Sequence, residues 1–141
     1  MSLNIYLTFD GNCREVFEFY KSVFGGDYMA FETFANLPPD MNVADADKDK
    51  VMHVSLPVGN SVLMGSDTAE GFGDPVVVGN NFSISVDGSS KERCDEVFGK
   101  LSEGGIVTMA QQETFWGSYF GSCRDRYDIN WMVSFDMQGK H

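Results

Sequence analysis

One internal histidine is the residue best suited to proton transfer. His53 lies within residues 51–58, whose composition and spacing predict a β-strand. Because imidazole titrates near neutral pH, His53 is a candidate general base or a hydrogen-bond donor to a bound molecule. The sequence identifies no carboxylate partner for it, and a histidine satisfied within the sheet is the plainer alternative. The only other histidine is the last residue, His141.

Aromatic and methionine side chains offer material for an apolar binding surface. Phe115 and Trp116 precede a glycine at a predicted corner between strands, where they either stack on a flat ligand or pack into the core. Further residues at strand spacing share this ambiguity: Phe34, Met64, Tyr119 and Trp131. Together with His53, these six residues form the predicted ligand-binding set.

Composition narrows the class of partner. The chain has 141 residues, of which 43% are hydrophobic and 13% aromatic, enough for a substantial core. Its formal net charge of -11 argues against nucleic acid and against anionic membrane surfaces, since both require a surface rich in lysine and arginine. No apolar run approaches the roughly 20 residues of a membrane-spanning helix, and the N-terminal segment does not resemble a signal peptide. Three cysteines without CxxC spacing favour a reducing cytoplasm over a disulfide framework.

The elements that must position these residues occur twice. Residues 4–11 alternate polar and apolar side chains and end in Asp-Gly, and residues 81–88 do the same. Each segment is followed by a run of helical periodicity that ends in Gly-Gly, and then by three predicted strands. Repetition of this kind indicates one βαβββ unit used twice.

These patterns predict an α+β fold made of two modules. The predicted strands cover residues 4–9, 28–35, 51–58, 61–66, 81–86, 106–113, 117–124 and 129–135. The predicted helices cover residues 13–24 and 90–102. We expect one compact domain with a first module over 1–67, a linker over 68–79 and a second module over 80–141. Each module contributes a four-stranded sheet with a helix on its outer side, and a cleft lies between the modules.

Several short motifs follow one another in a recognisable order. They are LTFDGN at 7–12, FYKSVFGG at 19–26, VMHVSL at 51–56, LMGSD at 63–67, TFWG at 114–117 and DRYDINWM at 125–132. This ordered set resembles the vicinal oxygen chelate superfamily, which includes glyoxalase I, bleomycin-resistance proteins and extradiol dioxygenases, and most closely its PhnB-like branch. Asp128 replaces a glycine that the branch usually has in its last turn; aspartate tolerates a positive φ better than most residues.

The resemblance implies a curled, glyoxalase-like sheet and four metal-ligand positions, two in each module. In this sequence those positions fall at Asn4, Met64, Asn81 and Met132. Amide and thioether groups are poor ligands for Zn, Mn or Mg, so we expect a site without a metal and without another cofactor. A register error of one or two residues leaves three outside candidates: Ser66, Asp67 and Asn80.

Three functional hypotheses remain. The first is a metal-free protein that binds a small apolar or aromatic molecule in the cleft between the modules. The alternative is a lyase, isomerase or dioxygenase-like enzyme of the same superfamily whose metal site is displaced, and the third is an interaction module without a ligand. The resemblance also implies a homodimer with paired or swapped modules, which would cover exposed sheet edges.

Members of this branch often carry a ubiquinone-pathway methyltransferase label. A Rossmann-type methyltransferase has a glycine-rich turn between a first parallel strand and a helix. Neither the Asp-Gly turn at residues 10–11 nor the Gly-x-Gly at residues 71–73 has that context. The sequence therefore gives the label no support.

Overall fold

The computed structural model describes residues 1–138, and the helices and strands appear in the predicted order. The first half contains β1 (Ile5–Phe9), α1 (Cys13–Phe24), β2 (Ala30–Thr33), β3 (Val51–Val58) and β4 (Ser61–Asp67). The second half contains β5 (Ile84–Asp87), α2 (Lys91–Ser102), β6 (Ile106–Glu113), β7 (Ser118–Arg124) and β8 (Asn130–Asp136). The predicted α+β class with two βαβββ modules is confirmed. His141 lies outside the described residues.

Each half builds a four-stranded mixed sheet with the same topology. The strand order is β1-β4-β3-β2 in the first sheet and β5-β8-β7-β6 in the second. In both, the first strand runs parallel to the last strand of its half, and the other pairs are antiparallel. The chain divides into two compact units between residues 77 and 78. Within residues 1–138, no helix is both long and apolar enough to cross a membrane.

The core of the first unit lies between α1 and one face of its sheet. Apolar residues of α1 recur every three or four positions and are almost completely buried: Val16, Phe17, Tyr20 and Val23. They face buried side chains of the strands: Leu7, Phe9, Val54, Leu56 and Leu63.

Because side chains alternate along a strand, the residues between these project from the opposite side of the sheet. We call that side the open face of the first sheet; it carries Tyr6, His53, Ser55 and Met64.

The second unit repeats this arrangement with different residues. Cys94, Val97 and Leu101 of α2 are buried against the sheet. The strands contribute the buried side chains of Ile84, Cys123, Trp131 and Val133. By contrast, β6 is an outer strand whose residues are exposed at every position but one. An outer strand of this kind leaves both backbone groups and apolar side chains available to a partner.

The segment after β2 differs from the prediction. The expected strand over 28–35 ends at Thr33, where the register with β3 shifts, and Phe34–Asn36 forms a 3₁₀ turn. The Phe34 ring is buried against Phe72, with ring centroids 5.2 Å apart. The loop that follows is anchored by Asp47, which forms an ion pair of 2.7 Å with Lys50. Burial of one aromatic side chain thus turns the chain away from the sheet.

Candidate functional site

Three side chains form a hydrogen-bonded network on the open face of the first sheet. Tyr6 Oη lies 3.3 Å from His53 Nδ1, and His53 Nε2 lies 2.9 Å from Ser55 Oγ. The rings of Tyr6 and His53 stack, with centroids 5.8 Å apart and planes inclined by 23°. Both imidazole nitrogens therefore have a hydroxyl partner, and the ring orientation is fixed. We call these three residues the His53 network.

The sheet order brings this network together. Tyr6 on β1 and Ser55 on β3 are both register partners of Met64 on the strand between them. The Tyr6 side chain reaches across β4 to a histidine 47 residues away in sequence. His53 and Ser55 are two residues apart on one strand, so their side chains share a face.

The network accommodates either protonation state of His53. A neutral imidazole donates through one nitrogen and accepts through the other, and each hydroxyl can serve as either partner. A protonated imidazole donates to both hydroxyl oxygens. Tyr6 is 48% exposed whereas Ser55 is 5% exposed, so the phenol is the end of the network that a bound molecule reaches. A proton can therefore enter the network through the Tyr6 hydroxyl, and the buried Ser55 hydroxyl keeps its hydrogen bond to His53.

The surroundings of the network lack fixed positive charge. Strands β1 to β4 contain no lysine or arginine. Glu32 on β2 is the register partner of His53 and is exposed. Met64 contributes a half-buried thioether next to Tyr6. The open face therefore combines apolar surface with several hydroxyl groups, because Thr8 and its serine partner on β4 lie on the same side as Tyr6, and with an acidic neighbour.

Three residues of the predicted ligand-binding set occupy packed positions. Phe34 is only 3% exposed, beneath the loop after β2. Trp131 is 2% exposed, and its Nε1 donates to Asp125 Oδ2 at 2.8 Å. Tyr119 Oη donates to Asp95 at 2.7 Å, and this hydrogen bond, together with partial desolvation, raises the pKa of Tyr119 to about 12. Phe34 and Trp131 are thus buried, and Tyr119 is half-buried and hydrogen-bonded. The His53 network does not include them, and their part in ligand binding stays a prediction.

Phe115 and Trp116 lie in an aromatic corner of the second unit, between β6 and β7. We define this corner as Phe115, Trp116 and Phe120. The ring centroids of the first two are 5.0 Å apart, and those of Trp116 and Phe120 are 6.2 Å apart, both in edge-to-face geometry. Phe115 is 98% exposed and Trp116 is 55% exposed. Apolar rings with this much exposure are available for contact with another molecule.

The residues at the superfamily's metal positions do not fit a divalent cation. Asn4 Oδ1 accepts the backbone N–H of Val62 at 3.1 Å, so its best donor atom is already used. The outside candidate Asp67 accepts backbone N–H groups with both carboxylate oxygens. Met64 and Met132 offer thioethers, and Asn81 a single exposed amide. Within residues 1–138, no group of three or more His, Cys, Asp or Glu side chains is placed to hold a metal.

The cysteines do not provide a nucleophile. Cys13, Cys94 and Cys123 are unpaired and buried. Burial raises the pKa of Cys123 to about 11, with a further contribution from Asp125. Burial likewise raises the pKa values of Cys13 and Cys94. Because the thiolate is the reactive form, these side chains are inert near neutral pH.

Sequence reasoning selected His53 but missed its two partners. Ser55 carries a readable signal, because residues two apart on a strand share a face. Tyr6 carries none that is local, since its contact with His53 depends on the order of three strands. Its position between the buried residues of β1 indicates only that its side chain points away from the core.

Fold and site together define the class of this protein. Two βαβββ units, each with one helix against a mixed four-stranded sheet, are the architecture of glyoxalase-like two-module proteins. The family model described as 3-demethylubiquinone-9 3-methyltransferase matches residues 2–134, and the chain belongs to this family. The resemblance inferred from the ordered motifs is thereby confirmed.

Individual relatives cover nearly the whole chain. Protein YjdN of Escherichia coli K12 is 28% identical over 145 residues, which span 95% of each chain. The crystal structure of PA1353 from Pseudomonas aeruginosa is 40% identical, with a TM-score of 0.82 over 96% of this chain and 98% of that one. A structure described as a putative 3-demethylubiquinone-9 3-methyltransferase, PhnB protein, from Bacillus cereus has a TM-score of 0.75 at 20% identity, covering 96% and 99% of the two chains.

Similarity of fold alone extends to the wider superfamily. The fosfomycin resistance protein FosX from Listeria monocytogenes aligns at 10% identity with a TM-score of 0.64, covering 94% of this chain and 91% of that one. At this identity the match supports the architecture and carries no statement about activity.

Proposed function

We propose that the protein binds a small apolar or aromatic molecule with one hydrogen-bonding group on the open face of the first sheet, without a metal. The observation that carries the proposal is the His53 network. It places an oriented hydroxyl on a half-exposed sheet face, beside the thioether of Met64. A site of this kind uses apolar contact for affinity and one polar group for orientation.

Two side chains supply the apolar part of the proposed site. The Tyr6 ring is 48% exposed and held by its stacking on His53, so a flat ligand finds a rigid surface. Met64 lies beside it in register and adapts its shape to different ligands. The aromatic corner of the second unit is proposed as a separate apolar contact surface.

A matched pair of charge insertions tests the location. Met64→Glu places a carboxylate on the open face of the first sheet, and Met132→Glu makes the same change in the second unit. We expect calorimetric affinity for 4-nitroanisole to fall about tenfold or more with Met64→Glu, since a charge there must be desolvated, and to be unchanged with Met132→Glu. Unchanged affinity in Met64→Glu, or absence of binding to the wild type, would refute the proposal.

The predicted alternative is an enzyme of the same superfamily that uses a metal in a displaced register. Elemental analysis of protein purified without chelators tests it directly. We expect substoichiometric metal, because the amide and thioether groups at the expected positions are weak ligands. One equivalent of a divalent metal, removable together with a measurable activity, would favour the enzyme.

The family description names a methyltransferase, and we do not propose that activity here. Rossmann-type methyltransferases place their cofactor at the edge of a parallel sheet, after a glycine-rich turn. Within residues 1–138, the parallel pairs are confined to β1–β4 and β5–β8. Calorimetric titration with S-adenosylmethionine checks this exclusion, and we expect no heat of binding.

We further propose that the protein is a homodimer in which a second copy covers β6. Three apolar residues of this outer strand are strongly exposed: Ile106 at 64%, Val107 at 49% and Met109 at 41%. Isolated chains rarely leave such an edge uncovered, because it invites pairing with other strands. Light scattering should give a dimer mass for the wild type and a monomer mass for Val107→Lys. A monomeric wild type would rule the proposal out.

The free cysteines support the expectation of a reducing cytoplasm. Cys13, Cys94 and Cys123 are all unpaired. An odd number of buried free thiols suits a compartment that does not form disulfides. Cell fractionation with an antibody against the protein tests this location, and recovery from an oxidising compartment would contradict it.

A further inference from the structure

We propose that the His53 network selects planar weak oxygen acids, namely phenols and enols, and binds them as oxyanions after their proton has moved to His53. This proposal rests on the proposed ligand site and specifies the ligand class for it. The geometric basis is the continuous sequence of contacts from an exposed phenol through His53 to a buried hydroxyl.

The proton path follows from the hydrogen bonds. The ligand O–H donates to Tyr6 Oη while the Tyr6 hydroxyl donates to His53 Nδ1. The ligand proton transfers to Tyr6 Oη as the original Tyr6 proton transfers to Nδ1. The products are a ligand oxyanion that accepts from Tyr6 and an imidazolium whose Nε2–H donates to Ser55 Oγ. No electron pair leaves the ligand, and no proton leaves the complex.

Acid strength selects the ligand class. Proton transfer over a short hydrogen-bonded path is nearly balanced when donor and acceptor are acids of similar strength. Imidazolium as a chemical class is close in acid strength to acidic phenols and stabilised enols, whereas aliphatic alcohols are far weaker acids. Planarity follows from the Tyr6 ring, whose stacking on His53 offers a flat exposed surface.

Charge disfavours ligands that arrive already ionised. The chain has a net charge of -11, and β1 to β4 contain no lysine or arginine to attract a carboxylate or a phosphate. A weak acid approaches neutral and becomes charged only when a counter-charge forms on His53. Glu32 is the register partner of His53 on β2 and places a carboxyl group on the same strand pair. The titratable groups that face His53 are thus Tyr6 from β1 and Glu32 from β2.

The second sheet offers an internal contrast. Aligning the two Asp-Gly turns and following the strand registers places Ser122 where the first sheet has His53. Ser122 Oγ lies 2.6 Å from Thr108 Oγ1, a pair of hydroxyls that does not titrate near neutral pH. The capacity to take up a proton therefore belongs to the first sheet, and Ser122→Ala is a matched control.

The test compares 4-nitrophenol with its methyl ether, 4-nitroanisole, which has no acidic proton. At a pH where free 4-nitrophenol is mostly neutral, we expect the wild type to bind the phenol and to develop the phenolate absorption band. Tyr6→Phe and His53→Gln should abolish the band and weaken phenol binding about tenfold. The ether has no proton to transfer, so its affinity should fall less than that of the phenol in both variants. Ser122→Ala should behave like wild type.

A second readout follows the proton itself. Calorimetry of 4-nitrophenol binding in buffers of different ionisation enthalpy, at a pH where free phenol and free imidazole are both largely deprotonated, should show uptake of about one proton, because the complex holds one proton on His53. Capture of phenolate by a histidine that stays neutral would take up no proton, and that result overturns the proposal.

Each outcome separates the two proposals. The weak-acid proposal is overturned if the wild type binds both compounds without the phenolate band. It is also overturned if the band persists in both Tyr6→Phe and His53→Gln. In either case the proposal of a ligand site is unaffected. Absence of proton uptake overturns the weak-acid proposal as well. Failure of both compounds to bind the wild type overturns both proposals.

Discussion

The two units each bury one carboxylate that accepts three hydrogen bonds, but they use it differently. Asp67 in the first unit accepts the backbone N–H groups of Gly11, Cys13 and Val51 at 2.9 to 3.0 Å. Asp125 in the second unit accepts from the backbone of Tyr127 and Ile129 and from the Trp131 indole at 2.8 to 3.1 Å. Asp67 is 3% exposed and Asp125 is 2% exposed.

The difference lies in the sequence distance that each carboxylate bridges. Two of the donors to Asp67 are 54 and 56 residues away, at the start of α1, and the third is 16 residues away at the start of β3. The donors to Asp125 lie two, four and six residues ahead. The first carboxylate joins separate elements of a unit, whereas the second shapes one turn and orients one indole. Similar chemistry thus serves tertiary structure in one unit and local structure in the other.

Asp67→Ala should have the largest effect on stability. It leaves three N–H groups, two of them buried, without an acceptor at the junction of β4, α1 and β3, and we expect a loss of about 4 kcal/mol in the free energy of unfolding. Urea denaturation followed by circular dichroism measures it. Asp74→Ala, at an exposed position, is the control and should change stability by less than about 0.5 kcal/mol. A loss below about 1 kcal/mol for Asp67→Ala would contradict a tertiary role.

Asp125→Ala should destabilise less, by about 2 kcal/mol, because two of its three named donors belong to one turn that can rearrange locally. The same denaturation experiment measures the loss. The Trp131 fluorescence spectrum should shift as the indole loses its acceptor, and amide exchange should accelerate at Tyr127 and Ile129. Equal losses for the two aspartate variants would remove the distinction between the units.

Paired glycine substitutions sharpen the comparison in the sheet centres. A Cβ at Gly65 would lie 2.6 Å from Cε1 of Phe17, a ring fixed in the core. A Cβ at Gly121 would lie 2.1 Å from Oε1 of Gln111, the end of a flexible side chain whose amide atoms have no hydrogen-bond partner among the described residues. We expect Gly65→Ala to cost about 2 kcal/mol and Gly121→Ala about 1 kcal/mol in thermal or urea unfolding. The reverse order would show that Gln111 is held more rigidly than Phe17.

The smallest effect concerns the loop of the first unit. The hydrogen bond from Lys50 lowers the pKa of Asp47 below its ordinary value of 3.8, so this pair contributes stability above that pH and loses it as pH falls through the lowered value. The protection of the amides over residues 36–50, taken relative to the intrinsic exchange rate at each pH, should therefore fall on acidification. Lys50→Met should lower this protection already at neutral pH, whereas Lys100→Met on α2 leaves this loop unchanged. If protection in this loop did not change with acid, the Asp47–Lys50 ion pair would not anchor the loop, and burial of Phe34 would be its anchor.

The elements were predictable because their signals are local. Alternation, helical periodicity and the repeated Asp-Gly and Gly-Gly turns located all eight strands and both helices, most of them within two residues. The predicted end of β2 was wrong because the position of the Phe34 side chain is set by its contact with Phe72, 38 residues further along the chain, and not by alternation along a strand. Asp67 looked like an outside metal candidate, yet its oxygens serve backbone groups that only the folded unit brings near.

The candidate site was predictable only in part. His53 was evident as the one internal histidine, and Met64 was among the apolar residues at strand spacing. Phe34, Tyr119 and Trp131 were indistinguishable from ligand-contacting residues in sequence, since aromatic side chains at strand spacing serve either purpose. Their burial and hydrogen-bond partners depend on packing, which periodicity does not encode.

The sequence by itself determined a duplicated βαβββ architecture, its family and a single internal histidine on a strand, because these follow from short-range pattern and residue type. Tertiary structure decided what that residue touches. Strand order places Tyr6 across β4 from His53, and sheet alternation places Ser55 beside it. Hydrogen bonds between strands distant in sequence require the completed sheet, and the chemistry of His53 is set by those contacts.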